Sequence, residues 1–489
     1  MFSVIDWVIV VLFLAVMLGI GFVSARRTKS EEDFSLGGRS MNSVFVGLSM
    51  FATTMSTLSY LSFPGEMIKY GPAFFFGCFG YPLAYFVVKR FLIPRFMEMN
   101  ATSAYEILEM KLGRGTRVLA TTFFLTLRFL WMSTVVYATV STALVPIFGV
   151  SPDYIAPISV ILMVITVIYS SAGGLKAVVT TDAIQTIVMF IGAVLALVLI
   201  ICKLGPADSL SNPVMTAHWD SIRWGFDPVS RLTVFNIIMM RFSWQVCTSG
   251  SDQMLVQRYL ATKDIKSAAH SYKISLICNT CIELLLAAVG FFVLAYFFYN
   301  PQMMADGTTI AGDADKLFPR FILVGMPKGL TGLIAAALMA AAMSSLSSGL
   351  NSCSTVIEED IVKKIRSRKG KDNGGSLKRI KLVSVLLGVA VTIACFFVGY
   401  VPGNLMDLIM KVVNLVTAPL FVLFFMALFV KGATDAGTII GGLCAFAVAI
   451  AIAFFGLFGL QAIWVMPVSF VIGILTAWAA SRFSRILKR

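Results

Sequence analysis

Apolar runs long enough to cross a bilayer recur along this chain about every thirty to forty residues. They centre near residues 14, 56, 83, 132, 162, 191, 241, 286, 336, 391, 418, 447 and 472. A hydrocarbon core takes about twenty apolar residues in a helix, so the pattern predicts an all-α membrane protein with about thirteen transmembrane helices. Most of these runs are uniformly apolar, and three are not. The run SMFATTMSTLSYLSFPGEMIKYG is dense in hydroxyls and reaches Pro64-Gly65, which predicts a helix unwound in mid-membrane. Near residue 245, RFSWQVCTSGSDQMLVQRYL mixes Ser, Gln, Thr, Gly and Asp within one span. The two lie five spans apart, and polar, interrupted segments in matching places of two five-helix halves point to an inverted-repeat architecture.

The third exception runs from Gly329 to Thr355, GLTGLIAAALMAAAMSSLSSGLNSCST, with no formal charge. Counted from Ala341, its residues Ser344, Ser345, Ser348, Ser352 and Thr355 fall at offsets of three, four, seven, eleven and fourteen, one stripe of an α-helix. Within lipid a hydroxyl must find a backbone carbonyl, a water-filled path or an ion. Any one of them can bond its own i−4 carbonyl, but a whole hydroxyl face reads as a cation site. Unwound backbone in the two broken spans would free carbonyls for the same ion. A hard cation such as Na⁺ takes such oxygens without a fixed geometry.

Composition agrees: of 489 residues, 58% are hydrophobic and only 13% charged, too few charges to cover a soluble domain of this length. The net charge of +14 is not spread over a nucleic-acid-binding face. It sits in alternate loops: Arg26 to Arg39, Lys89 to Arg117, Lys176, Arg258 to Lys266, Lys363 to Lys381, Lys431, and Arg482 to Arg489. The positive-inside rule makes those loops cytoplasmic, with the N-terminus outside and the C-terminus in the cytoplasm of a multi-pass cell-membrane protein. The first run, Val4 to Val23, lacks a basic preceding region and reads as a span, not a leader. Cys278 and Cys281 form a CxxC without a second pair, inside an expected helix, so packing is the better reading than metal or redox chemistry.

The segments DFSLGGRSM (33–41), GLSMFATTMSTLSYLSFPGE, SAGGLKAVVTTDAIQT (171–186), SDQMLVQRYLATK (251–263) and AAAMSSLSSGLNSCSTV, in this order, resemble the sodium:solute symporter family. That family includes sodium-coupled carriers of sugars, proline, sialic acid, monocarboxylates, vitamins and iodide. The resemblance implies a LeuT-type 5+5 inverted repeat in a single transporter domain, 1–489. An extra helix and loop (1–42) would precede the repeats 43–202 and 231–430, and two C-terminal helices (431–489) would follow. It implies a main sodium site at Ala52, Met55, Ala341, Ser344 and Ser345, the first two and Ala341 through carbonyls. For Asp182 two readings stand: a carboxylate at a helix end near Lys176, or, as the resemblance implies, a second sodium site with Ser345 and Ser348. Arg39 would be a cytoplasmic interfacial residue that supports the ion path.

Solute candidates facing the midplane are Thr53, Thr54, Ser56 and Ser59 on the first broken helix and Gln245 and Thr248 on the second. The family's sugar carriers have an aromatic gate where Thr248 stands and a glutamine near Met410; this chain has neither. Two cations lie in apolar runs. Lys411 has Asp407 four residues before it as an i,i+4 partner. Arg128 has no local partner in sequence: it could snorkel, pair with Glu283, or bind a solute carboxylate bidentately. With the opening FATTMSTLSYLSFP resembling sialic-acid carriers, the reading leans to Na⁺-coupled import of a carboxylate-bearing solute such as sialic acid or another sugar acid, over a neutral sugar. The expected partners are the solute, Na⁺ and the bilayer, with no nucleic acid and no cofactor beyond Na⁺ as coupling ion. An enzyme would need a nucleophile with a base or a metal cluster, and an ATP-driven pump a GxxxxGK[ST] loop; the sequence offers none of these. A channel would more usually repeat around a filter loop.

Overall fold

The computed structural model describes residues 2–99, 101–204, 212–370, 375–400 and 405–486, without the side chains of 405–412 and 458. Helices follow one another, most of them with short links. In order they are α1 (Val4–Arg27), α2 (Glu31–Leu36), α3 (Ser43–Thr54), α4 (Thr57–Tyr70), α5 (Pro72–Met97), α6 (Ala104–Lys111), α7 (Arg114–Phe148) and α8 (Pro152–Leu204). Then come α9 (Val234–Ser249), α10 (Gln253–Leu260), α11 (Ile265–Tyr299), α12 (Ala314–Gly325), α13 (Leu330–Arg368), α14 (Ser376–Val398), α15 (Leu405–Phe429), α16 (Asp435–Phe455) and α17 (Val465–Ile486). Among the described residues, nine helices are long and apolar enough to span, and ten if the bent pair α3–α4 counts as one. The expectation of thirteen is not established by this measure. The pair α9–α10 is shorter and more polar, and the spans expected near 162 and 191 run together in α8.

The interruptions arise locally. At Met55 and Ser56 the backbone turns extended, and the Ser56 side chain accepts from Ser59 N to start α4 afresh, bending it 67° from α3. The break is therefore at Met55–Ser56 and not at Pro64-Gly65, which lie inside α4. In the second interrupted segment Asp252 takes the same capping role for α10, accepting from Met254 N at 2.9 Å. Inside α8, Gly174 has φ 58° and ψ −153°, a conformation essentially reserved for glycine. A Cβ there would stand 2.7 Å from Phe34 Cα, so the kink is also where α2 docks.

Helix α13 is the axis of the molecule: 83% of its apolar window is buried, against 22% for α1 and 28% for α8. Its first N–H groups have no intrahelical partner, and Asp6 of α1 supplies one, accepting from Gly329 N at 2.8 Å and Gly332 N at 2.7 Å. Buried tyrosines tie it and its neighbours together, Tyr169 to the carbonyl of Met343 at 3.1 Å and Tyr60 to that of Met189 at 2.9 Å. On the side of the α13 C-terminus, charges brace the bundle. Arg117 pairs with Asp360 and Glu109, and Arg379 with Glu358 at 2.7 Å. Arg258, counted in sequence among loop charges, lies instead wholly inside the protein on α10. The Asp407–Lys411 pair and Met410 fall outside the described side chains.

Candidate functional site

The hydroxyl stripe of α13 meets the break in the α3–α4 helix. Ser344 Oγ donates to the carbonyl of Ala52 at 2.9 Å and lies 3.1 Å from that of Ala341, while Ser345 Oγ reaches the carbonyl of Thr53 at 3.4 Å. All five residues expected at the ion site, Ala52, Met55, Ala341, Ser344 and Ser345, are buried. Four of them are brought together by hydrogen bonds or the α13 backbone, and Met55 stands at the break itself. Thr57 Oγ1 donates to the carbonyl of Leu338 at 2.8 Å and clamps the start of α4 onto α13. The result is a buried knot of neutral oxygens, the donor set a hard monovalent cation accepts in exchange for its hydration shell.

One turn further along α13 the stripe becomes charged. Asp182 on α8 is fully buried and accepts from Ser49 at 2.6 Å, Ser348 at 3.3 Å and Arg258 at 3.1 Å; its Oδ1 has no hydrogen-bond partner. Arg258 also donates to Ser49 at 2.9 Å, Ser348 at 2.5 Å and the carbonyl of Met254 at 2.6 Å. Thr53 links the two clusters, 2.9 Å from Ser348. The reading of Asp182 as a helix-end charge beside Lys176 is overturned, because Lys176 is taken by Asp33 at 2.5 Å and Asp182 faces the core. The hydrogen bond from Lys176, helped by Lys29 N, Ser30 and the Lys176 charge, holds the Asp33 carboxyl below the usual carboxylate range against the cost of desolvation. Sequence reasoning missed Arg258 as a partner. The available signal was that Gln253, Gln257 and Arg258 follow the break in a helix too polar for lipid and too short for a surface span.

The solute candidates divide. Thr54 donates back to the carbonyls of Phe51 and Met50 at 2.9 and 3.3 Å, and Ser56 and Ser59 face each other at 3.4 Å. Gln245 and Thr248 are both buried, and Thr248 Oγ1 has no hydrogen-bond partner. A cavity of about 570 Å³ between α4, α7 and α12 reaches down to Leu58, two residues past the break. Arg128 is not the unpaired cation expected from its apolar run. It is ion-paired with Asp252, the cap of α10, a partner distant in sequence that only folding brings near. Glu283, its other suggested partner, is engaged by Arg241 at 3.1 Å and Tyr81 at 2.5 Å. Arg39 holds Glu32 at 3.0 Å and the carbonyl of Ala101 at 3.2 Å, close to the α2 turn.

Two broken helices, one of them facing a buried hydroxyl stripe on a central helix, define a secondary membrane transporter of the LeuT-like class. The family model described as the sodium:solute symporter family matches residues 34–445, and the chain belongs to that family. It is similar to the sodium/sialic acid symporter SiaT of Proteus mirabilis (strain HI4320), 29% identical over 90% of this chain and 88% of the relative. Among solved structures it resembles one described as the substrate-bound outward-open state of a Na⁺-coupled sialic acid symporter with a novel Na⁺-site. That likeness has a TM-score of 0.85 at 26% identity, covering 99% of this chain and 98% of the other. The nucleobase-cation-symport-1 family transporter Mhp1 in a closed conformation shares the fold with a TM-score of 0.58 at 12% identity, over 93% and 96% of the two chains. The protein is thus a multi-pass membrane Na⁺-coupled solute symporter, not an enzyme, with Na⁺ as coupling ion and a small-molecule solute as partner.

Proposed function

We propose that this symporter imports a carboxylate-bearing solute, sialic acid or another sugar acid, by alternating access around the α3–α4 break. The observation that carries the reading is the knot formed by Ser344 and Ser345 with the carbonyls of Ala52 and Thr53, directly beside the hydroxyl-rich segment Thr54 to Ser59. Sodium bound there would hold the two halves of the broken helix and the central helix in one arrangement, so that solute binding on α4 and ion binding on α13 favour each other. The sialic acid symporters that match 90% and 99% of this chain support this solute class.

In this reading the main sodium site is Ala52, Met55, Ala341, Ser344 and Ser345. Asp182 with Ser345 and Ser348 forms a second, where an incoming ion competes with Arg258 for the carboxylate. Solute contacts come from Thr53, Thr54, Ser56, Ser59, Gln245 and Thr248. Arg128, ion-paired with Asp252, is not counted among them. The repeats are 43–202 and 231–430, the N-terminus lies outside and the C-terminus in the cytoplasm. Uptake into proteoliposomes of labelled sialic acid, small carboxylates and neutral sugars, with an inward Na⁺ or K⁺ gradient, tests this. Sodium-driven sialic acid or sugar-acid uptake is expected. Uptake of a neutral sugar uncompeted by any of the acids would replace the solute class.

A further inference from the structure

The proposed solute needs a cationic group. Arg128 and Arg241 each face a carboxylate, and Arg241 is the one that shares a helix face with the solute candidates Gln245 and Thr248. We infer that Arg241 on α9, backed by Glu283 on α11 and Tyr81 on α5, is the group that recognises the solute's carboxylate. This inference rests on the carboxylate reading above and supplies its missing residue.

Arg241, Gln245 and Thr248 stand at i, i+4 and i+7 on α9, a single helical face. The two solute candidates of that helix and the buried guanidinium therefore share one stripe. Phe74 ties the stripe to the other broken helix: its ring lies 5.2 Å from the Arg241 guanidinium and 5.7 Å from the ring of Phe63 on α4. Tyr81 covers a second side of the guanidinium at 5.7 Å. Two rings and a carboxylate fix the position of the cation.

What the cluster leaves open points to a ligand. An arginine that serves only as a brace within a span would be expected to use its fork on the carboxylate, since half-satisfied buried charges are costly. Here Arg241 Nη2 stands 3.1 Å from Glu283 Oε1 without forming a hydrogen bond. Arg241 Nε and Glu283 Oε2 have no polar partner at all, and neither has Thr248 Oγ1 on the same stripe. The side chains are 12% and 3% exposed, so these atoms are not turned to open solvent. Unused guanidinium donors beside one free carboxylate oxygen match a solute that presents a carboxylate with a hydroxyl or amide N–H next to it. The carboxylate would take the free face of the fork, and the neighbouring donor would take Glu283 Oε2. Since Glu283 already balances Arg241, the entering anion leaves a net negative charge in the site, which the co-transported Na⁺ offsets.

The test compares acids with their uncharged methyl esters, by binding to the purified full-length protein in detergent with saturating Na⁺. The probes are sialic acid, gluconate and lactate. Wild type is expected to prefer at least one acid over its ester by about ten-fold or more. Arg241→Lys and Arg241→Gln should each reduce that preference to about two-fold or less, chiefly by weakening the acid, because lysine lacks the planar fork. Glu283→Gln, which removes the competing anion, should raise the preference. A merely structural role would weaken acid and ester together and leave their ratio unchanged. A wild-type ratio retained in both Arg241 variants, or a fall in Glu283→Gln, overturns the inference while leaving the solute class intact. A wild type that favours none of the three acids over its ester overturns the carboxylate reading as well.

Discussion

Arg258 and Asp182 form an ion pair at 3.1 Å in which neither side chain has any exposed surface. The pair sits between α8, α10 and α13, one helical turn along from the Ser344–Ala52 contact, and Ser49 and Ser348 bond to both partners. It joins three elements of the bundle, and its anion keeps one oxygen without a partner. Removing the cation alone leaves a buried carboxylate uncompensated, a loss of about 3–5 kcal/mol. In the proposed second sodium site, sodium would take the place of the guanidinium. Arg258→Gln is therefore expected to lower the melting temperature in K⁺ much more than in Na⁺, measured on purified protein. Asp182→Asn should instead reduce the steepness of sodium-dependent uptake. Equal destabilisation of Arg258→Gln in both salts, with unchanged steepness in Asp182→Asn, would reduce the pair to a structural brace.

The neutral-oxygen site makes a separate forecast. Ser345→Ala removes one dipole from a dehydrated ion and leaves the helix intact, since alanine is the best helix former. The half-saturating Na⁺ concentration for uptake should rise by roughly five- to hundred-fold, corresponding to about 1–3 kcal/mol. Circular dichroism and expression should be unchanged. An unaltered sodium requirement would move the ion elsewhere.

Arg128 and Asp252 link α7 to the start of α10. Asp252→Asn retains the cap, because asparagine caps as well as aspartate, but strands the guanidinium. The expected loss is about 3–5 kcal/mol of stability. Adding Arg128→Met should restore most of it. Thermal unfolding of the two single variants and the double variant decides, and a double variant as unstable as Asp252→Asn alone would show that the pair is not coupled.

Acidification should loosen the latch of α2 onto α8 that Asp33 and Lys176 form. The Asp33 carboxyl is held below its ordinary range by Lys176, so its stabilising contribution is complete above the unfolded carboxylate value. It is lost as pH falls through the lower folded value. The wild-type protein should therefore lose melting temperature on acidification below the usual carboxylate range more steeply than Asp33→Asn does. Parallel curves would remove the latch from the account.

Much of this protein was legible in one dimension, for definable reasons. Lipid demands helices of a set length, so the spans declare themselves by composition alone. The Ser344 to Thr355 stripe was readable because helical periodicity is a local rule, and the hydroxyl-rich segments marked both broken helices for the same reason. The position of a break was less legible: Pro64 suggested it, yet a proline is tolerated within a membrane helix, and the cap at Ser56 sets the break eight residues earlier. Which charge meets which was not legible at all. Arg128 finds Asp252, Arg241 finds Glu283, and Arg258 finds Asp182 across separations of 124, 42 and 76 residues, and such pairings depend on how the helices cross. The sequence by itself determined an all-helical membrane symporter and the helix face that could receive its ion. The tertiary structure alone decided which buried charges are already balanced and which still have free donors, because desolvation makes every such pairing a property of three-dimensional neighbours and not of spacing.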